Sequence, residues 1–315
     1  MMKKSELDYE VIIIGGGPGG LTAAIYTSRA LRKTLLIEKV MMGGMMSTTD
    51  IVENYPGFPD GINGFDLGML MHKQAEKFGT EYLYDEVIKV ELEGEIKKVF
   101  TANKEFKCAS VIISTGSSFR KLGVPGEREL IGKGVSFCAT CDAPFFKAKE
   151  VAVIGGGDTA VEEAIYLTKF ASKVYIIHRR DKFRAAKNYQ NEAFKNPKIE
   201  ILWDTIPTEI LGSEKVNGIK LKNLKTDQES QLSVEGVFVF IGALPNTFFF
   251  KGQIDLDEYG YVITDRKMQT NVKGVFACGD VIAKVVGQVA TCVGEGSVAG
   301  YCADQYVEEA LEYEQ

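Results

Sequence analysis

The chain has 315 residues, 45% of them hydrophobic and 25% charged, with 37 lysines and arginines against 43 acids for a formal net charge of −6. At ~150 residues per domain the length predicts two domains with a core each, and the composition excludes an intrinsically disordered chain or a fibrous repeat. An acidic chain lacks the basic face that binding a phosphate backbone requires, so nucleic acid is excluded as a partner.

A membrane-spanning helix needs ~20 apolar residues in a row, and the clean apolar runs, such as residues 237–241, fall far short. Lys3 and Lys4 are followed by Glu6, Asp8 and Glu10, and the apolar residues 11–14 end at once in glycines. That order differs from a secretory leader, so the expectation is a cytoplasmic protein with no membrane partner. In that reducing compartment the six cysteines predict redox or metal chemistry for any close pair, not a disulfide framework.

Residues 11–14 read as a strand, running into Gly15-Gly16-Gly17-Pro18-Gly19-Gly20 and then a helix over 21–32. A second strand over 34–37 ends in Glu38, and Gly43, Gly44 and residues 52–59 form a long glycine- and proline-punctuated loop of the kind that lies over a ligand. Residues 87–106 alternate apolar and polar and predict antiparallel strands; 111–114 is a further strand. Past Cys138-Ala139-Thr140-Cys141-Asp142 the opening grammar returns: strand 151–154, Gly155-Gly156-Gly157-Asp158-Thr159-Ala160, helix 161–170, and strand 174–177. Residues 209–234 predict antiparallel strands again. Near the end a strand precedes Gly279-Asp280, and 291–312 reads as a helix. This late segment resembles the first half, so the first domain is interrupted by the second.

Two strand–glycine-turn–helix units predict two nucleotide sites. The first glycine, Gly15 or Gly155, permits the tight turn; the second, Gly17 or Gly157, lets the backbone approach a pyrophosphate; Gly20 or Ala160 allows close helix–strand packing. The helix start, at Pro18 in one unit and Asp158-Thr159 in the other, offers free N–H groups and a partial positive charge to phosphates.

The residue closing the second strand tells the ligands apart. Glu38 is placed to accept hydrogen bonds from a ribose diol, which favours FAD or a dinucleotide without a 2′-phosphate. At the matching offset the second unit carries His178-Arg179-Arg180, with Arg184 one helical turn on. Guanidinium groups bind phosphate in bidentate fashion, so this site is expected to hold NADPH.

Cys138 and Cys141 form the only C-x-x-C. A structural zinc site is short of ligands, since His72 and His178 are the only histidines. A buried inert pair and a reversible disulfide remain, and a flavin gives the disulfide its use by passing electron pairs from a nicotinamide. Asp142 is either the acid that protonates a departing thiolate or a turn-capping residue. Cys108, Cys278, Cys292 and Cys302 read as small core residues.

Over essentially its whole length the chain resembles the low-molecular-weight thioredoxin reductases. The motifs that carry the resemblance are residues 15–20, Glu53-Asn54-Tyr55-Pro56-Gly57, residues 138–142, residues 155–160, His178-Arg179-Arg180 with Arg184, and Gly279-Asp280 followed by Gln288-Val289-Ala290. The resemblance implies an α/β homodimer whose subunit has two Rossmann-like three-layer dinucleotide-binding domains, each with added antiparallel strands. The FAD domain would comprise 1–117 and 246–315, and the NADPH domain, carrying the cysteine pair, 118–245. Gly44, Asn54, Gly279, Asp280, Gln288, Val289 and Ala290 are then FAD residues, Cys141 faces the flavin, and Cys138 exchanges with thioredoxin. Electrons would pass from NADPH through FAD to the cysteine pair, with Asp142 as the acid. One flavin face cannot hold dithiol and nicotinamide together, so the family's rotation of the NADPH domain implies a hinge, placed near 121–123 and 242–246. Three positions depart from the family's pattern: Met45 where Gln is common, Gly287 where Arg is common, and Ala143 where Gly often follows the Asp. Two other readings stay open: a related flavoenzyme fed by another donor or oxidising small dithiols with oxygen, and a non-catalytic nucleotide-binding sensor.

Overall fold

Residues 11–14 are β-branched throughout, which favours extended backbone, and they form the core of a strand, Tyr9–Ile14, buried on both faces. Val11 and Ile13 enter one core with Leu36 and Ile112, while Ile12 and Ile14 enter another with Leu35, Ile37, Val111 and Ile113. Each such side chain stabilises the fold by about 1.5–3 kcal/mol on burial. The computed structural model describes residues 2–49 and 51–312. The chain folds as two units, Met1–Ser118 with Leu244–Gln315, and Phe119–Ala243.

In the first unit the strands lie in the order Glu81–Tyr84, Thr34–Glu38, Tyr9–Ile14, Glu105–Ile113, with every neighbouring pair parallel. The long strand Glu105–Ile113 takes two further partners. Its first half pairs antiparallel with Lys97–Thr101, which pairs with Val87–Glu91; its second half pairs parallel with Val275–Ala277. The end of the chain thereby completes the sheet begun at its start. Helices Pro18–Arg29, Gly64–Lys77 and Val289–Ala310 bury Leu21, Leu67, Met71 and Ala299 against one face, and Phe250, Val262 and Val281 close the other.

In the second unit Ile199–Leu202, Lys173–Ile177, Glu150–Gly155, Gly236–Phe240 and Val135–Ser136 form an all-parallel sheet in that order. Helix Asp158–Leu167 packs Ala160, Val161, Ala164 and Leu167 on one face. The antiparallel sheet Thr205–Gly212, Val216–Asn223, Glu229–Leu232 covers the other through Ile210, Ile219 and Leu221. Both units are α/β.

Element ends differ from the sequence reading in a consistent way. The helices expected at 21–32 and 161–170 run Pro18–Arg29 and Asp158–Leu167, because the last residues of each glycine loop already form the first helical turn. The first helix stops where Leu31 adopts φ 62°. The last helix ends at Ala310, and Leu311–Glu312 instead pairs with Met2–Lys3. Among the described residues no helix is long and apolar enough to cross a membrane.

Candidate redox site and nucleotide loops

The first glycine loop owes its shape to close approach. A Cβ on Gly20 would overlap the Gly15 carbonyl oxygen, so the helix reaches the strand end only with glycine there, whereas a Cβ on Gly17 would meet nothing within 4 Å. Gly17 therefore fronts open space at a helix start that no side chain caps, the arrangement that receives a pyrophosphate. Glu38 stands beside it. Its Oε2 accepts the Gly16 amide at 2.7 Å and its Oε1 the Val40 amide at 2.9 Å. A carboxylate has about four acceptor positions, so two remain for a ribose diol. Gly44 follows directly on the turn where the Gly43 amide donates to the Gly16 carbonyl at 2.8 Å.

The late segment joins this loop. A Cβ on Gly19 would lie 3.2 Å from Cys278 Sγ and 3.3 Å from the Cys292 carbonyl, so the turn at Gly279-Asp280 and the start of helix Val289–Ala310 press on the first loop. Gln288 caps that helix in a capping box with Thr291, and its Oε1 accepts Asn54 Nδ2 at 2.9 Å. Val289 and Ala290 form the first turn. The structure thus gathers Gly15, Gly17, Pro18, Gly20, Glu38, Gly44, Asn54, Gly279, Asp280, Gln288, Val289 and Ala290 in one unit. The open loop, the uncapped amides and the unsaturated carboxylate fit FAD.

The second loop repeats the packing with different chemistry. Ala160 Cβ would stand 2.6 Å from a Cβ on Gly155, and a Cβ on Gly156 would overlap the His178 ring. His178 is buried, and its Nε2 lies 3.1 Å from the Lys182 carbonyl, which only accepts, so Nε2 carries the proton. Burial pushes its pKa down, and the charges of Arg184, Arg180 and Arg179 add to that. The ring lies beneath the loop, where burial disfavours its cation. Asp158, exposed at the helix start, accepts the Ala186 amide on Oδ1 at 2.7 Å. Arg179, Arg180 and Arg184 are exposed, and among the described residues no carboxylate pairs with them. The Arg184 amide is bound to the Gly156 carbonyl at 2.8 Å. Gly157 fronts open space as Gly17 does, and Thr159 is exposed in the first helical turn. These residues fit a dinucleotide bearing an extra phosphate.

Cys138 and Cys141 form a disulfide with Cα atoms 5.4 Å apart, at the start of the one-turn helix Ala139–Asp142. Ala139 and Ala143, both fully buried, anchor the turn in the core of the second unit. The methyl group of Ala143 has found space where the family often has glycine. Burial raises the pKa of Asp142 against an opposing hydrogen bond from Ser136, so its carboxyl keeps a proton to higher pH than an exposed aspartate. Burial pushes the thiols of Cys278 and Cys292 up to about 12 and raises Cys108 and Cys302 as well. Those four stay protonated and unreactive at neutral pH.

The sequence reading missed Ser136, whose Oγ accepts the Cys138 amide at 3.1 Å, and Glu163, whose Oε2 is buried without a hydrogen-bond partner among the described residues. No local pattern marks either. It also missed Lys284 and Glu295, joined at 2.6 Å beside Asp280.

Three known proteins and one family frame these observations. The thioredoxin reductase of Peptoclostridium acidaminophilum is 48% identical over 310 residues, spanning 96% of this chain and 98% of that protein. The solved thioredoxin reductase of Streptococcus pyogenes MGAS5005 matches with TM-score 0.91 at 44% identity, covering 96% of this chain and 98% of that one. A solved ferredoxin-flavin thioredoxin reductase from Clostridium acetobutylicum is 30% identical with TM-score 0.52, covering 96% and 98%. The family model for pyridine nucleotide-disulphide oxidoreductases matches residues 9–296, and the chain belongs to that family.

Proposed function

We propose that the chain is an NADPH-dependent flavoprotein disulfide reductase that reduces thioredoxin through the Cys138–Cys141 couple. The observation that carries this is the disulfide itself, seated in the unit that also bears the unpaired arginines of the second glycine loop. In this reading Met1–Ser118 with Leu244–Gln315 holds FAD through the residues gathered above, and Phe119–Ala243 holds NADPH. Gly155, Gly157, Thr159 and Ala160 shape the phosphate-binding turn, Arg179, Arg180 and Arg184 grip the 2′-phosphate, and His178 and Asp158 keep that turn in place. FAD, when bound, relays electron pairs between a nicotinamide and a disulfide.

The protein's own groups do the rest. Reduced, Cys138 attacks the thioredoxin disulfide, one thioredoxin sulfur leaves, and Cys141 resolves the mixed disulfide by closing on Cys138. Asp142, whose pKa burial raises, is the acid that gives its proton to a departing thiolate. The hinge near 121–123 and 242–246 lies beside the unit boundaries at 118–119 and 243–244, and Gly242, with φ 109°, sits within it. The working form is a cytoplasmic homodimer.

The unpaired arginines favour NADPH over the ferredoxin-type donor of the Clostridium acetobutylicum relative. Recording the visible spectrum of the purified protein before and after anaerobic NADPH tests donor and flavin together. A flavin band bleached by NADPH is expected. A colourless protein that remains so with added FAD overturns the reading.

A further inference from the structure

Lys284 lies between Asp280 and the helix Val289–Ala310, outside every motif from which the flavin site was read. Its side chain is only 11% exposed, and lysine is almost never so buried unless paired. The ammonium lies 2.6 Å from Glu295 Oε2, 3.3 Å from Asp280 Oδ1 and 3.4 Å from Cys292 Sγ. Glu295 Oε2 also accepts the Gly279 amide at 2.9 Å, and Cys292 Sγ donates to Asp280 Oδ1 at 3.5 Å. Burial disfavours the cation, but Cys292, Glu295 and Asp280 outweigh it and raise its pKa.

These contacts join the turn after one strand to a helix later in the sequence. Gly279, with φ 80°, turns the chain at the end of strand Val275–Ala277. Asp280 follows the turn, and Glu295 projects from the helix. Lys284 binds both carboxylates at once. Asp280 is 42% exposed: Oδ1 is held inward, and Oδ2 has no partner among the described residues. Gly287 borders the held oxygen, since a Cβ there would sit 3.3 Å from Oδ1.

We propose that Lys284 is the positioning residue of the flavin site: paired with Glu295, it fixes the Gly279-Asp280 turn against the helix, aims Asp280 Oδ2 at a hydroxyl of FAD, and so sets FAD affinity. The proposal rests on the reading of Asp280 as an FAD ligand. Removing one partner of a buried pair leaves the other charge uncompensated, so truncating the lysine splays the two carboxylates it now holds.

The test titrates deflavinated full-length protein with FAD and compares the wild type with Lys284→Met, Lys284→Arg, Glu295→Gln, the Lys284→Met/Glu295→Gln pair, and Asp280→Ala. Lys284→Met and Asp280→Ala are each expected to raise the Kd for FAD at least tenfold, and Lys284→Arg to return within about threefold of wild type. The paired variant is expected to lose less than the product of the two single losses, and NADPH affinity is expected to stay within twofold throughout, which general unfolding would not allow. Lys284→Met binding FAD like the wild type while Asp280→Ala does not overturns the lysine's role and leaves the site reading intact. Asp280→Ala binding like the wild type removes that reading and the proposal with it. Should Lys284→Met fail to fold, Glu295→Gln decides: a Kd unchanged from wild type overturns the proposal, and a rise of tenfold supports it.

Discussion

The backbone amide of Arg184 donates to the carbonyl of Gly156 at 2.8 Å, so the basic turn and the second glycine loop are one rigid piece. The arginines are delivered to the edge of the phosphate-binding turn by main-chain geometry, and their guanidinium groups stay uncommitted. Replacing Arg179 and Arg180 together with Ala is expected to raise the KM for NADPH by about 1–3 kcal/mol per lost charge-assisted bond, with the KM for NADH nearly unchanged. Steady-state kinetics with both donors checks this, and equal losses would remove the 2′-phosphate assignment.

Cys138 is partly exposed at the start of its helical turn, with its Sγ 3.4 Å from Thr140 Oγ1. A Cys138→Ser variant lacks the outward sulfur for exchange. NADPH should still bleach the flavin of this variant while thioredoxin turnover disappears, read by stopped-flow absorbance and an insulin-reduction assay. Turnover at the wild-type rate would contradict the assignment.

Asp142 couples the same centre to pH. Its pKa is raised by burial, so the proton it donates is present below that pKa and lost as pH rises through it. Thioredoxin turnover should therefore fall on the alkaline side. Asp142→Asn should lower kcat by about 10²–10⁴, the usual scale of general acid catalysis, and erase that limb of the pH profile. A variant that keeps the limb would place the titrating group elsewhere.

Glu163 carries a cost that pH reveals. Burial, with Glu162 nearby, raises its pKa from 4.5 to about 7, and its buried Oε2 has no hydrogen-bond partner among the described residues. A carboxyl whose folded pKa exceeds its unfolded value contributes stability below the unfolded pKa and loses it as pH climbs through the folded one. Between about pH 4.5 and 7 the native state therefore weakens. Glu163→Gln removes the titration and should stabilise the protein by roughly 1–2 kcal/mol at pH 8, after discounting for partial solvent exposure, with little gain at pH 5. Thermal melts at the two pH values distinguish this from a uniform packing effect, which would shift both alike.

Much of the molecule is legible in one dimension because its causes are local. A β-branched run such as residues 11–14 extends whatever surrounds it, a glycine accepts backbone angles other residues refuse, and a C-x-x-C at a helical turn brings two sulfurs within reach. From these alone come both strand–turn–helix units, the cysteine pair, and the contrast between Glu38 and the arginines at matched positions. Tertiary structure decided what depends on segments far apart in the chain. His178 shares its tripeptide with two arginines yet lies buried under Gly156, because the space that glycine leaves is filled by the imidazole. The strand Glu105–Ile113 has length for two partners along one edge, and only folding brings Val275–Ala277 to its second half. Lys284 looks like any surface lysine until the helix carrying Glu295 closes over it, for a charge's partner is chosen by packing, which no window of neighbouring residues encodes.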